Sequence, residues 1–242
     1  MRAHAPERIH APLVVFLHEG LGSVAMWRDF PERPSPRRLS RAGVFAAGYG
    51  RSTPRTRRAL GCRLMHRQAH EVLPAVFDAR ASTRRPAGHS DGGSIALLHA
   101  ARFPERVAGL VLLAPHIFVE DLTVVSIDEA RRAWETTDLP QKLGRYHDDA
   151  EATFRGWNDI WLHPPFKHWN IEAELDAIRS PILAMQGLDD VYGTLRQIRG
   201  IAERVLGTEL VELPECGHSP HRDQPETAIV ATISFINARR SP

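Results

Sequence analysis

The sequence has few of the features that mark a membrane, disulfide-stabilised or metal-binding protein. It holds 2 cysteines, and Cys62 and Cys216 lie too far apart to form a metal or redox motif, so we expect two free thiols. The only apolar run near the N-terminus, APLVVFL at 11–17, is too short to span a bilayer, and no small-residue cleavage site follows it. These absences favour a cytoplasmic protein without a membrane partner.

The chain also lacks a large excess of charge of either sign. The chain carries 31 basic and 29 acidic side chains, for a net charge of +2. Its densest basic run, RSTPRTRR at 51–58, has no interleaved aromatic residues, which favours a solvated loop over a nucleic-acid surface. The 242 residues, 43% of them hydrophobic, suffice for one globular domain with a sizeable core.

Short apolar runs alternate with longer amphipathic segments, as in a parallel sheet covered by helices. The apolar runs predict strands at 12–18, 43–48, 107–115, 181–187 and 208–215. The amphipathic segments predict helices at 66–79, 93–103, 193–205 and 225–239. This order indicates an α/β fold with a mostly parallel sheet.

Residues 116–170 interrupt the alternation. They are rich in charges, histidine and tryptophan, and they predict small helices inserted between two strands. Such insertions commonly cover a site at the carboxyl ends of the strands. We therefore expect a core of residues 1–115 and 171–242 with a helical lid at 116–170.

The stretch GHSDGG contains the pattern G-x-S-x-G, in which a serine sits on a strained turn between a strand and a helix. A helical pattern follows Ser90 directly, which favours a nucleophile over a glycine-serine turn without chemistry. The preceding run STRRPA lacks the Val, Ile and Leu of a buried central strand. We expect that strand to be short or frayed between Thr83 and Pro86, with its arginines pointing out of the sheet.

A nucleophilic serine requires a base, and the base requires a carboxylate that orients it. Carboxylates follow the strand at 181–187, and a histidine follows the last strand, in the order Ser, Asp, His that this type of site uses. We prefer Asp190 to Asp189, because it lies further into the loop. We prefer His218 to His221, because Gly217 frees the backbone just before it.

The developing negative charge on a substrate requires two backbone donors. One is expected from Asp91, the residue after the nucleophile. The other is expected from Gly20 or Leu21 in the turn HEGLGS, whose glycines keep side chains away. Alternatively, these glycines only allow the chain to turn and have no role in catalysis.

The motifs LHEGLGS, GYGRS, GHSDGG, QGLDD and CGHSPH together resemble the α/β-hydrolase superfamily, and within it the lidded bacterial serine esterases and related hydrolases. The resemblance extends from Leu13 to Ile236. It implies Ser90 as nucleophile, Asp190 as acid and His218 as base, with oxyanion donors Gly20 or Leu21 and Asp91. The chain departs from the superfamily at Phe45 and Ala47, where Asp and Arg are usual, and in the short segment before the first strand, where a hairpin is usual.

Side chains that could contact a substrate lie in and just before the insertion. His116 and Phe118 follow a strand directly and are expected to face the pocket. Trp157 and Trp161 are further candidates, although the aromatic residues of the insertion could equally pack it onto the core. Asn158 and Asp159 could contact substrate or hydrogen-bond within the lid.

The leading hypothesis is a serine carboxylesterase that acts on a small-molecule ester through an acyl-enzyme, with no metal or other cofactor. The first alternative is a carbon–carbon bond hydrolase of aromatic-ring-fission products, whose acidic substrate would need an arginine such as Arg155. The second is a non-catalytic binding protein of the same fold. The sequence indicates neither the natural substrate nor the oligomeric state.

Overall fold

The computed structural model describes residues 13–33, 40–44, 49–52, 63–78 and 84–239. Within them, a 6-stranded sheet has the strand order β2-β1-β3-β4-β5-β6, and every neighbouring pair is parallel. The strands are β1 Leu13–Leu17, β2 Ser40–Val44, β3 Arg84–His89, β4 Leu110–Leu113, β5 Ile182–Gly187 and β6 Glu209–Leu213. Because all strands run the same way, their carboxyl ends share one edge of the sheet.

Helices cover the sheet and connect its strands. Those before the insertion are α1 Leu64–Arg67, α2 Leu73–Asp78 and α3 Asp91–Arg102, with a π-helical turn Gln68–Val72 joining the first two. Those after it are α7 Glu172–Leu175, α8 Arg196–Arg204, α9 Pro220–Asp223 and α10 Pro225–Ala238. The predicted fold class, an α/β sheet flanked by helices, is confirmed.

The strands supply two apolar layers because successive side chains point to opposite faces. In β1, Val15 and Leu17 join the layer under α1 to α3, whereas Val14 and Phe16 join the layer under α10. All the residues of β4 and β5 are buried. This burial on both faces explains why these strands read as continuous apolar runs.

The prediction for the strand before the serine was wrong for Arg85 and for the pairing with β1. The late start of the pairing with β4 agrees with it, and the side chain of Arg84 lies outside the described residues. β3 pairs with β1 over its length, from Leu13 opposite Arg84 to Leu17 opposite Gly88. Pairing with β4 is shorter and begins at Ala87. Arg85 does not point into water: its side chain is buried, and its guanidinium donates a hydrogen bond of 2.9 Å to the carbonyl oxygen of Arg239.

The insertion consists of α4 Asp121–Thr136, α5 Leu139–Gly144, α6 Ala150–Trp161 and a 3-10 turn Pro164–His168. These elements pack on one another, and their buried aromatic residues join the apolar layer that also contains α3. Trp134 stacks on Phe154 with ring centroids 4.3 Å apart. The small helices agree with the sequence, while the division of the chain into a core and a lid stays a prediction.

Some sequence-based predictions fall outside the described residues. These are the departures at Phe45 and Ala47, the segment before β1, and the thiol of Cys62. Cys216 is a buried free thiol. Along the described stretches, no helix combines the length and the apolar character needed to cross a membrane.

Candidate active site

Ser90 sits on a tight turn between β3 and α3. Its backbone has φ 52° and ψ −119°, a conformation that a residue with a side chain adopts only when its surroundings enforce it. The Ser90 N–H donates a hydrogen bond of 2.9 Å to the Leu113 carbonyl. The turn also requires glycine at 88, because a Cβ there would lie 2.3 Å from the Gly92 carbonyl oxygen. Neighbouring backbone therefore holds the strained turn on both sides.

Asp190 and His218 form a close pair on the loops after β5 and β6. Nδ1 of His218 lies 2.9 Å from each carboxylate oxygen of Asp190. The carboxylate also accepts from the Gln186 side chain at 3.1 Å and from the Tyr192 N–H at 2.8 Å. Burial alone would raise the pKa of Asp190, but the hydrogen bond and charge of His218 and the Tyr192 N–H together lower it. With Nδ1 occupied, Nε2 is the His218 nitrogen left to react.

The alternative acid and base lie elsewhere. Asp189 is exposed, and its N–H donates to the Cys216 carbonyl at 3.0 Å. His221 is buried, with its ring centroid 4.8 Å from that of Trp27. The geometry therefore brings together the preferred pair and not the alternatives, while the catalytic roles of these residues stay a prediction.

Ser90 and His218 line one cavity of about 230 Å³ at the carboxyl edge of the sheet. Three of the predicted substrate contacts also line it: His116, Trp157 and Trp161. Phe118 is not among its lining residues, because its ring packs under the Arg196 guanidinium, 5.1 Å from the ring centroid. Arg155 is absent from the lining and Arg222 is part of it. Asn158 is buried and donates to the Ile127 carbonyl at 2.9 Å, within the insertion.

The predicted oxyanion donors, Gly20, Leu21 and Asp91, line the same cavity. Their backbone N–H groups make no hydrogen bond within the described part of the chain, as expected for Asp91 at the first turn of α3. Gly20 tolerates no side chain, because a Cβ would lie 2.0 Å from Cδ1 of Trp157. Free donors at these positions fit the role that the sequence predicts for them.

His147 connects the insertion to this turn. Its Nδ1 accepts from the Gly50 N–H at 2.8 Å, so its Nε2 carries the proton and donates to the Leu21 carbonyl at 2.9 Å. Burial lowers the pKa of His147, consistent with a neutral ring. The insertion therefore fixes the orientation of the peptide group that follows Leu21.

Two titratable groups of the cavity wall are shifted toward their neutral forms. Burial raises the pKa of Asp91 to about 7, while the Trp161 indole opposes the shift and the charge of Glu19 adds to it. Burial, followed by the charge of His218, lowers the pKa of His116 to about 3. The wall of the cavity beside Ser90 is therefore polar, and burial disfavours the charged forms of these two side chains.

Sequence reasoning assigned no role to Glu19, His89, His147 or Tyr192. Glu19 and His89 lie within the motifs LHEGLGS and GHSDGG and touch each other, with Nδ1 of His89 2.7 Å from a Glu19 carboxylate oxygen. Their position at the ends of β1 and β3 was the available signal, because parallel strands bring such side chains to one edge. His147 offers no such signal, since it lies in a loop of the insertion.

Comparison with known proteins agrees with the fold. A model described as "Alpha/beta hydrolase family" matches residues 14–232. The carboxylesterase CesB (YbfK) from Bacillus subtilis is 23% identical, with a TM-score of 0.69 over 96% of this chain and 85% of that one. The enol-lactonase from Burkholderia xenovorans LB400 is 18% identical, with a TM-score of 0.70 over 94% and 92%. An alpha/beta hydrolase from a Medee basin deep-sea metagenome is 17% identical, with a TM-score of 0.78 over 99% and 94%.

Proposed function

Because the chain belongs to the alpha/beta hydrolase family, we propose that it is a serine hydrolase that cleaves small carboxylic esters through an acyl-enzyme. The main support is the pair Asp190–His218, whose contacts of 2.9 Å leave Nε2 of His218 free at a cavity that Ser90 also lines. A serine is a weak nucleophile until such a base takes its proton. The strained turn that presents Ser90 supports the same role.

In the proposed mechanism, Oγ of Ser90 attacks the ester carbonyl carbon while its proton passes to Nε2 of His218. The carbonyl π electrons move onto oxygen, and the tetrahedral intermediate then breaks its bond to the alcohol oxygen, which takes the proton back from His218. A water molecule attacks the acyl-enzyme in the same way and releases the acid and Ser90. Asp190 holds the tautomer of His218 and stabilises the imidazolium that forms in each half.

The negative charge of each tetrahedral intermediate would be held by the free N–H groups of Asp91 and of Gly20 or Leu21. Such donors are effective because they are already oriented and need no rearrangement during the reaction. Trp157 and Trp161 reach the cavity from the insertion and would contact the acyl or alcohol group. A cavity of about 230 Å³ suits a small ester better than a long acyl chain.

The direct test is Ser90→Ala. It should reduce hydrolysis of p-nitrophenyl acetate by about 10⁴-fold and abolish labelling by a fluorophosphonate probe, while the melting curve stays two-state. Asp189→Asn is a matched control that should keep both. Near-normal turnover by Ser90→Ala would contradict the mechanism, and an unlabelled, inactive wild-type protein would favour a non-catalytic binding protein.

One observation favours a second candidate, a carbon–carbon bond hydrolase for acidic ring-fission dicarbonyls. Arg222 lines the cavity and makes no salt bridge with any described residue. Its guanidinium could bind the carboxylate of such a substrate. Parallel assays of a p-nitrophenyl ester and a ring-fission dicarbonyl distinguish the two, because the better kcat/KM identifies the substrate class.

A further inference from the structure

Three loops of the proposed active site meet at one buried histidine. His89 ends β3 directly before Ser90, and its side chain is 1% exposed. Nδ1 of His89 lies 2.7 Å from Oε2 of Glu19, in the turn after β1. Nε2 of His89 lies 2.7 Å from the carbonyl oxygen of His218, in the loop after β6. The His89 ring therefore links the turn after β1 (the oxyanion turn), the turn that presents Ser90 (the nucleophile turn) and the loop that carries His218 (the histidine loop).

The partners of His89 determine where its protons are. A carbonyl oxygen can only accept, so Nε2 must carry a hydrogen and donate it to His218. An ionised Glu19 can also only accept, so Nδ1 must carry a hydrogen as well. A ring with hydrogen on both nitrogens is an imidazolium, and Glu19 is its counter-charge.

The surroundings support ionisation of both partners. Burial alone would lower the pKa of His89, but the charge and hydrogen bond of Glu19 raise it. Burial alone would raise the pKa of Glu19, but the charge and hydrogen bond of His89 lower it. His221, which packs on His89 with centroids 4.8 Å apart, does not compete for the counter-charge, because burial lowers its pKa to about 3.

Other titratable groups also face this pair. They are His18 just after β1, Asp91 in α3, His116 after β4, His147 in the insertion, Asp190 after β5, and His218, His221 and Arg222 after β6. Asp190 is ionised and favours a charged His89. His116 is neutral because burial and the nearby His218 lower its pKa to about 3. The charges of Glu19 and of Asp190 both raise the pKa of His89.

We propose that Glu19 and His89 form a buried ion pair, and that His89 is a positioning residue that holds the His218 backbone against the nucleophile turn. This proposal rests on the proposed function. Asp190 anchors the side chain of His218 at Nδ1, and His89 anchors its main chain, so the direction of Nε2 is fixed at two points. Glu19 is tied into the same network through the oxyanion turn, where its carbonyl accepts from the Gly22 N–H at 2.9 Å.

The charge of His89 is measured first, on the wild-type protein. In protein labelled with ¹⁵N-histidine, both ring nitrogens of His89 should carry hydrogen from pH 6 to 8, with their signals assigned by their loss in His89→Phe. Glu19→Gln removes the counter-charge and should move Nδ1 to the position of an unprotonated nitrogen at pH 8. A neutral His89 ring in the wild-type protein at pH 7 would overturn the ion pair.

The positioning role is measured by kinetics on a small neutral ester. His89→Phe keeps the aromatic packing but loses both hydrogen bonds, so kcat should fall by about 10²-fold while KM changes by less than about threefold. The control is His221→Phe, which alters the same cluster without touching either hydrogen bond and should keep kcat within about twofold. An imidazolium at His89 together with unchanged kcat in both His89→Phe and Glu19→Gln would overturn the positioning role. Activity that survives Ser90→Ala would overturn the proposed function instead, and the NMR result on the ion pair would still stand.

Discussion

Asp91→Asn should stabilise the protein in alkaline solution and leave it unchanged in acid. The Asp91 side chain is buried at the first residue of α3, and its Oδ1 has no hydrogen-bond partner in the described part of the chain. Burial raises its pKa to about 7. Asparagine has the same shape and no charge, so the substitution removes the cost of burying a carboxylate and little else.

The direction of this change in stability follows from the pKa of Asp91 in the unfolded and in the folded state. The unfolded chain ionises Asp91 near 3.8 and the folded protein near 7. Below 3.8 both states hold the proton and there is no cost, whereas between the two values the unfolded state alone ionises and stability falls as pH rises. Above pH 7 Asp91 is ionised in both states. Its raised pKa then destabilises the folded protein by about 4 kcal/mol, at about 1.4 kcal/mol per unit of pKa difference. The N-terminus of α3 favours a buried anion by up to about 2 kcal/mol, which leaves about 2–4 kcal/mol for the substitution to recover.

Urea unfolding followed by tryptophan fluorescence measures this effect. Asp91→Asn should raise the free energy of unfolding by about 2–4 kcal/mol at pH 8 and by less than about 1 kcal/mol at pH 4. Asp189→Asn removes an exposed carboxylate and should differ from wild type by less than about 0.5 kcal/mol at both pH values. An equal gain for Asp91→Asn at both pH values, or none at pH 8, would refute the reasoning.

Three further substitutions test the geometry. Asp190→Asn should lower kcat by about 10⁴-fold, because an amide favours the wrong histidine tautomer, whereas Asp189→Asn should keep near-normal activity; the reverse order would identify Asp189 as the acid. Gly20→Ala should lower kcat at least about 10²-fold, because the new methyl group overlaps the Trp157 indole; unchanged turnover would show that this turn supplies no donor. Arg85→Ala should lower the free energy of unfolding in urea by about 1–3 kcal/mol, because it removes a charged hydrogen bond to the Arg239 carbonyl. Unchanged or higher stability would mean that burial of the guanidinium destabilises the fold.

The strands that the sequence predicts best are those whose side chains are buried on both faces. The runs at 107–115 and 181–187 contain β4 and β5, because continuous burial requires continuous apolar sequence. β2 begins at Ser40, ahead of the predicted run at 43–48, and shows that a strand at the end of the described sheet can lack a continuous apolar run. The regular start of β3 was not predictable, because it depends on backbone pairing with β1 and on the contact of Arg85 with Arg239, and both partners lie far away in sequence.

The meeting of Asp190, His218 and Ser90 at one edge could be predicted because the proposed chemistry fixes residue types and order, and a parallel sheet brings the ends of its strands together. The structure places Asp190 rather than Asp189 against His218, since a position further into the loop lets the side chain turn toward that ring; the role of Asp190 as the acid stays a prediction. The contacts of His89 were not predictable. Its partners lie 70 and 129 residues away, and no local pattern encodes which carboxylate and which carbonyl the fold brings to one ring.

The buried polar groups at the carboxyl edge of the sheet fall into two classes with opposite effects on folding. The Glu19–His89 pair is satisfied within the protein and lies between loops that must keep their positions. Oδ1 of Asp91 and Nδ1 of His116 have no partner among the described residues, and both side chains line the cavity. Each such atom costs about 1–3 kcal/mol while it stays unpaired.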